Sequence, residues 1–323
     1  MPFVTQLDIK EFRGIKECRE PLRFSKFNVL LGRNNSEKST VLQALFLLPR
    51  PDLPQPMRLG LRGTRRDHLL HHLTGGASSL VYRYAGEARL YFKFGEKKYE
   101  INLDAQGMPR ASSENALFSS DAACEYLGVK REEAENWAVF VPNDTEFQKR
   151  VEGQLSQEWA SVEKSESHIK VIKEVINPTI DEEFTEIIRR DSSLYVRKDP
   201  GVYINLRDLG DGVEKTLSIL LFIDYCSPKL VLWDDFEVSA HPSLLRNVLR
   251  WLSQRDWQVV LATHSIDVLY ELTEIRPEEC TVIQLKKTAD DVLVHKNLTV
   301  EEVEDYLSAS NDPRLLVDLI EVS

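Results

Sequence analysis

Residues 27–48 read FNVLLGRNNSEKSTVLQALFLL, and no other stretch limits the possible folds so strongly. Phe27–Leu31 is an apolar run of strand length, Gly32–Glu37 is polar and turn-rich, and a helix is expected from about Lys38. Strand, loop and helix in that order form the layout of a phosphate-binding loop. Its backbone N–H groups and the positive end of the helix dipole face an anion. The pattern is G-x-x-x-x-G-K-[ST]. Gly32, Lys38 and Ser39 fit it and Thr40 follows, but Glu37 stands where the second glycine belongs. Glycine there permits a left-handed backbone and close approach to phosphate. A carboxylate about 4 Å from a phosphate costs roughly 1 to 4 kcal/mol, depending on the effective dielectric. Rotated out to solvent, Glu37 leaves only the backbone cost. The bland alternative is a chance strand–turn–helix that carries Lys-Ser.

With 323 residues the chain makes one large domain or two small ones. Its net charge of −11 argues against a general nucleic-acid binder, although a local basic face can still bind one. Cys18, Cys124, Cys226 and Cys280 lie far apart, without a C-x-x-C or a Cys/His cluster. Neither a zinc site nor a disulfide framework is expected, and a reducing cytoplasm fits. No signal peptide is recognisable and no apolar run reaches about 18 residues, so neither secretion nor a membrane span is expected.

Phe3–Phe12 alternates apolar and polar residues, as a half-buried strand does, and a second strand is expected near Cys18–Phe24. Pro49, Pro51, Pro54 and Pro56 stop the loop helix. Met57–His72 is locally basic through Arg58, Arg62, Arg65 and Arg66. It can contact phosphates or a partner, or simply cross the surface as a solvated arm. Ser79–Leu103 holds three strand-like runs, SLVYRYA, ARLYFKF and KYEINL, which predict an antiparallel meander. Residues 104–135 read as a polar linker with short helices, Trp137–Val141 as a strand, Thr145–Ile180 as helical, and Glu183–Leu206 as a helix followed by two strands. Further on, Lys229–Trp233 and Trp257–Thr263 are buried strands, and Thr299-x-x-Glu302 is a capping box. A last helix is expected over Pro313–Ile320.

Three features converge on strand ends, where open α/β sheets hold their ligands. The loop ends one strand, Asp234-Asp235 a second, and His264 a third. An aspartate there can hold Mg²⁺, a cation that prefers oxygen ligands and bridges to phosphates. A second carboxylate can orient or deprotonate an attacking water, and the histidine can sense the phosphate. Singly, Asp234-Asp235 can equally open a helix-initiating loop, and His264 can be a satisfied strand-end histidine.

With these motifs in order, the sequence resembles the ABC-type ATPase heads of the SMC/RecF/OLD-like group. Phe12-Arg13-Gly14 and LGRNNSEKST resemble the family's start, LGDGVEKT (209–216) its signature, VLWDDFEVSAHPSL (231–244) its Walker B stretch, and ATHS (262–265) its switch-histidine loop. The resemblance implies an α/β P-loop NTPase with a mixed or parallel central sheet, an antiparallel β-lobe and a helical insertion. Residues 1–323 would form one head, with 1–50 and 200–323 as the nucleotide-binding core, 79–141 as the lobe and 145–180 as the helical segment. The resemblance implies ATP and Mg²⁺ as cofactors, with Arg13, Gly32, Arg33, Asn34, Asn35, Ser36, Glu37, Lys38, Ser39 and Thr40 binding nucleotide. Ser39 and Asp234 would ligate Mg²⁺, Asn143 standing where a Q-loop glutamine usually lies. Asp235 would sit in the place of the catalytic glutamate, and His264 would be the switch histidine. Gly210, Asp211 and Gly212 would reach across a homodimer or paralogous heterodimer to the partner's γ-phosphate. The implied function is an ATP-driven dimerisation switch acting on DNA or a protein, with no membrane role. Glu37 and the short Asp235 would slow it, and the alternative is a non-catalytic regulatory subunit.

Overall fold

Every residue of Phe27–Leu31 is buried, as expected of a strand covered on both faces. A computed structural model describes residues 3–54, 56, 63–71, 73, 76–110, 119–180, 182–190, 193–237 and 241–320. The chain opens with β1 (Gln6–Phe12), β2 (Ile15–Cys18), the short β3 (Leu22–Arg23), β4 (Phe27–Leu31) and the loop helix α1 (Lys38–Phe46). There follow α2 (Arg65–His71), β5 (Ala88–Phe94), β6 (Lys97–Leu103), β7 (Pro109–Arg110), α3 (Ser120–Leu127), α4 (Arg131–Ala134) and β8 (Ala138–Val141). The helical stretch holds α5 (Thr145–Gln157), α6 (Trp159–Lys164) and α7 (Ser167–Val171), and leads to β9 (Glu186–Arg190), β10 (Ser193–Lys198) and β11 (Val202–Asn205). The remainder is α8 (Asp211–Cys226), β12 (Leu230–Trp233), α9 (Pro242–Ser253), β13 (Gln258–Thr263), α10 (Ile266–Ile275), β14 (Cys280–Lys287), β15 (Val292–Leu298) and α11 (Val300–Ser308).

Twelve strands form one sheet in the order β7-β6-β5-β1-β2-β15-β14-β4-β13-β12-β8, with β3 beside β1. The run β14-β4-β13-β12-β8 is parallel throughout. On the other side of β15, the pairings of β1, β2, β3, β5, β6 and β7 with one another are antiparallel. The strand-rich lobe is thus continuous with the core sheet. The two are joined where β15 pairs with β2 in parallel, over Val292↔Glu17 and Leu293↔Cys18. β9, β10 and β11 make a separate antiparallel sheet.

Period-two alternation divides the core between the sheet's faces. Val29, Val231, Val139 and Val259 join the core built from α5, α8, α9 and α10, whereas Leu30, Leu232, Phe140 and Val260 join the core under α1 and the lobe.

Three expectations fail. Residues 79–85 form no strand: Ala77–Leu80 and Tyr82–Tyr84 are 3₁₀ turns, and only Val81 bridges to Phe12. β1 already pairs with β2 and β3 on one side and with β5 over Gln6–Lys10 on the other, so only its end, at Phe12, is left to meet Val81. Nor does 183–190 open with a helix. The Asn177 side chain donates to Phe184 O at 2.9 Å and accepts from Phe184 N at 3.0 Å, which holds the chain extended as it enters β9. At the far end Pro313–Ile320 gives only a 3₁₀ turn at Leu316–Leu319.

The basic stretch is not a cationic face where it is described; Arg58 and Arg62 lie outside the described residues. Arg65 is fully buried, its guanidinium donating to the carbonyls of Phe46, Ala134, Glu135 and Ala138. Arg66 donates to Asp67 and to Gln106 O.

Candidate functional site

The five parallel strands end on one side of the sheet, β13 running two residues past β12 and β14 three past β4, and the candidate residues hang from those ends. Asn143 follows β8, Asp234 and Asp235 follow β12, His264 follows β13, the loop 32–37 follows β4, and Lys287 closes β14. Leu31 pairs with Thr263 on one side and Gln284 on the other, and Trp233 with Leu261 and Val141.

The loop folds back tightly on its first glycine. A Cβ on Gly32 would fall 2.2 Å from Ser36 Oγ, so only glycine fits. Ser36 is buried and its hydroxyl has no hydrogen-bond partner. The Lys38 ammonium donates to Gly32 O at 3.0 Å and Arg33 O at 3.4 Å, and lies 2.8 Å from His264 Nε2. Burial lowers the Lys38 pKa, while the charges of Asp234, Asp235 and Glu237 hold it up. His264 is pushed down by burial and by the Lys38 charge. A neutral ring accepting through Nε2 is the state this network assigns.

Glu37 takes the backbone that a glycine would, with φ 70° and ψ 24°. A left-handed conformation costs a non-glycine residue about 1 to 2 kcal/mol. Its carboxylate is neither loose in solvent nor unpaired: Lys287 Nζ lies 2.8 Å from Oε1 and Thr40 Oγ1 donates to Oε2 at 2.6 Å. Arg13 lies in the β1–β2 turn, whose Gly14 packs against the Glu37 carboxylate, and burial lowers its pKa against the opposing charges of Glu37 and Asp234.

Asp234 is hydrogen-bonded to the Ser39 hydroxyl, and burial above all raises its pKa to about 6. Asp235 sits at φ 45°, accepts from Asn143 Nδ2 at 3.1 Å, and its Oδ1 lies 4.0 Å from His264 Nε2. A hydroxyl beside a carboxylate at a phosphate loop is a donor set that suits Mg²⁺ shared with phosphate oxygens. Among the described residues no group of three or more His, Cys, Asp or Glu can hold a metal alone. The site therefore fits a metal that arrives with a phosphate, and the partnerless Ser36 hydroxyl leaves one buried polar group unmatched by the protein.

Two contributors carry no assigned role in the sequence reading. Glu237 accepts from Thr263 Oγ1 at 2.7 Å and from His264 N at 2.7 Å, clamping the turn that carries His264. It is the third acid of DDFE, so its motif signalled it. Arg314 donates to His264 O at 2.7 Å and is held by Asp312, fifty residues further on with no local pattern to mark it. Gly210, at φ 99°, caps α8, which begins at Asp211 and continues through Gly212. Lys215 and Thr216, one turn further, line a cavity with Asn143, Asp234 and Asp235.

This geometry, a phosphate loop beside acidic and histidine strand ends, is that of a P-loop NTPase fold. Residues 109–269, just under half of the chain, match the family model described as "AAA domain, putative AbiEii toxin, Type IV TA system". The match spans Gly210–Gly212, Asp234-Asp235 and His264, while the loop 32–37 precedes it. No curated protein matches. Among solved structures, the Smc head domain of Pyrococcus furiosus, with an extended coiled coil and bound to the C-terminal domain of ScpA, superposes with a TM-score of 0.59. It is 13% identical, over 96% of this chain and 100% of that one. An SmcHead bound to the C-winged helix domain of ScpA gives 0.60 at 14% identity, over 93% and 99%. The SMC head domain from Thermotoga maritima gives 0.51 at 13%, over 93% and 100%. In fold, the chain resembles these SMC head domains.

Proposed function

We propose that the chain binds Mg-ATP on Gly32–Thr40 and hydrolyses it, serving as an ATP-driven dimerisation switch on DNA or a protein partner. The observation that carries this is the state of Glu37. Its carboxylate, the sequence's main argument against a working loop, is paired with Lys287 and Thr40, and the loop backbone keeps the left-handed turn that the missing glycine would make. Lys38 then binds the β- and γ-phosphates, and Ser39 and Asp234 would hold Mg²⁺, which would supply charge neutralisation to the phosphates. Asp235, steadied by Asn143, orients the attacking water and takes its proton. His264, clamped by Glu237 and Arg314, reports the γ-phosphate. Gly210, Asp211 and Gly212 reach the partner's nucleotide, so ATP favours the closed pair and hydrolysis releases it.

Two structural neighbours are SMC heads bound to ScpA, which supports a protein as the partner. The buried Arg65 and engaged Arg66 support DNA less. No helix among the described residues is long and apolar enough to cross a membrane. The four cysteines are free thiols, and we place the protein in the cytoplasm.

The test is phosphate release with Mg-ATP together with light scattering. Turnover and a nucleotide-dependent doubling of mass support the switch. No turnover and no mass change in this chain and in Glu37→Gly refute it. The second reading, a regulatory subunit, is favoured by Asp235, one methylene shorter than glutamate and left-handed at φ 45°. It predicts binding, if any, without turnover.

A further inference from the structure

The Glu37 carboxylate sits in a socket assembled from four separated parts of the chain. Glu37 and Lys287 side chains are only 10% and 13% exposed. Lys287 is fixed independently of Glu37: Asp291 Oδ1 lies 3.5 Å from its ammonium, which also donates to Gly14 O at 3.4 Å. Tyr82 in turn donates to Asp291 Oδ2 at 2.7 Å. On the near side the carboxylate rests on bare backbone, because a Cβ on Gly14 would fall 2.2 Å from Glu37 Oε1. A fixed cation and a glycine floor thus receive this one side chain.

We infer that Lys287 is a positioning residue of the nucleotide site: it holds the Glu37 carboxylate away from the phosphates and offsets its charge, so that a loop lacking its second glycine still accepts a nucleoside triphosphate. The inference rests on the proposed ATP binding. A carboxylate released toward a bound triphosphate is repelled by it, and removing its cation exposes that repulsion in full. Gly14 serves the same end sterically, by leaving room for the carboxylate on the side away from the phosphates.

The test is a two-residue cycle read as ATP affinity by calorimetry, with and without Mg²⁺, on the full chain, with thermal melts to verify folding. The variants are Lys287→Met, Glu37→Gly and the pair, plus Gly14→Ala alone and with Glu37→Gly. Lys287→Met and Gly14→Ala are each expected to weaken ATP binding about tenfold or more, equivalent to 1.4 kcal/mol. In the Glu37→Gly background both are expected to change affinity less than about twofold. An equal loss in both backgrounds overturns the inference, because Lys287 then acts on nucleotide or fold directly. No loss in either background also overturns it. If the parent fails to bind ATP and Glu37→Gly binds it, the socket does not protect the loop, while the loop's nucleotide role survives. If neither binds, the ATP reading itself falls and this inference with it.

Discussion

Asp234 is a carboxylate whose burial works against the fold that holds it. Its pKa rises from 3.8 to about 6, so the folded chain keeps a proton that the unfolded chain gives up. Below pH 3.8 both states are protonated and the group is neutral in effect. Between pH 3.8 and about 6 stability falls as pH rises, and above 6 the full penalty remains. Asp234→Asn is therefore expected to melt at least about 2 °C above the parent at pH 8, with the gap closing toward pH 4. A variant no more stable than the parent at pH 8 contradicts this. The same substitution is expected to abolish Mg²⁺-dependent stabilisation by ATP, and in the parent that stabilisation should weaken below pH 6 as the carboxylate protonates. Its neighbour separates binding from chemistry: Asp235→Asn is expected to lower turnover about 10²-fold or more while leaving the Kd for Mg-ATP within a few-fold. A matching loss of affinity would move Asp235 from base to ligand. Sequence spacing found both acids and the histidine because strand ends are marked by apolar runs. It could not find the cation that pairs with Glu37, since Lys287 is 250 residues away and is brought near by the β4–β14 pairing.

At the scale of elements, the loop helix α1 is steadied at its far end by Arg65. This buried guanidinium bonds Phe46 O at the end of α1, Ala138 O on β8, and Ala134 O and Glu135 O at the end of α4. Burial lowers its pKa to about 9. Arg65→Met would leave four carbonyls short of a donor, and is expected to cost about 3 kcal/mol or more in urea denaturation. Arg65→Lys should recover only part of this, because an ammonium lacks the planar fork. An arginine in a run of arginines reads as surface in sequence, and only the topology reveals four converging carbonyls. The parallel strands were legible as apolar runs with polar ends. The run at 79–85 was not, because its alternation is real while the sheet offers it no edge. Residues 183–190 were misread because helical composition yields there to a side chain, Asn177, that fixes the entry to β9.

At the scale of the whole molecule, the proposed switch predicts that slowing hydrolysis prolongs association. With Mg-ATP, Asp235→Asn is expected to show a doubled mass by light scattering for longer than the parent, and Lys38→Ala to stay monomeric. Monomers throughout would contradict the switch. The sheet itself has a weak line. Between lobe and core, β2 meets β15 over only Val292↔Glu17 and Leu293↔Cys18, flanked by Lys16 N→Asp291 O and Arg19 N→Leu293 O at 2.9 Å each. Amide exchange is expected to be faster at this line than along β4 or β13. This line is not the lobe's sole tie to the core: the Gln258 side chain on β13 bonds Val4 N and Val4 O at 2.7 Å each, and one apolar core runs beneath both. A load on the lobe is therefore shared between β13 and the Asp291 and Gly14 contacts beside the socket of Glu37, so the loop and the strand next to it are strained together.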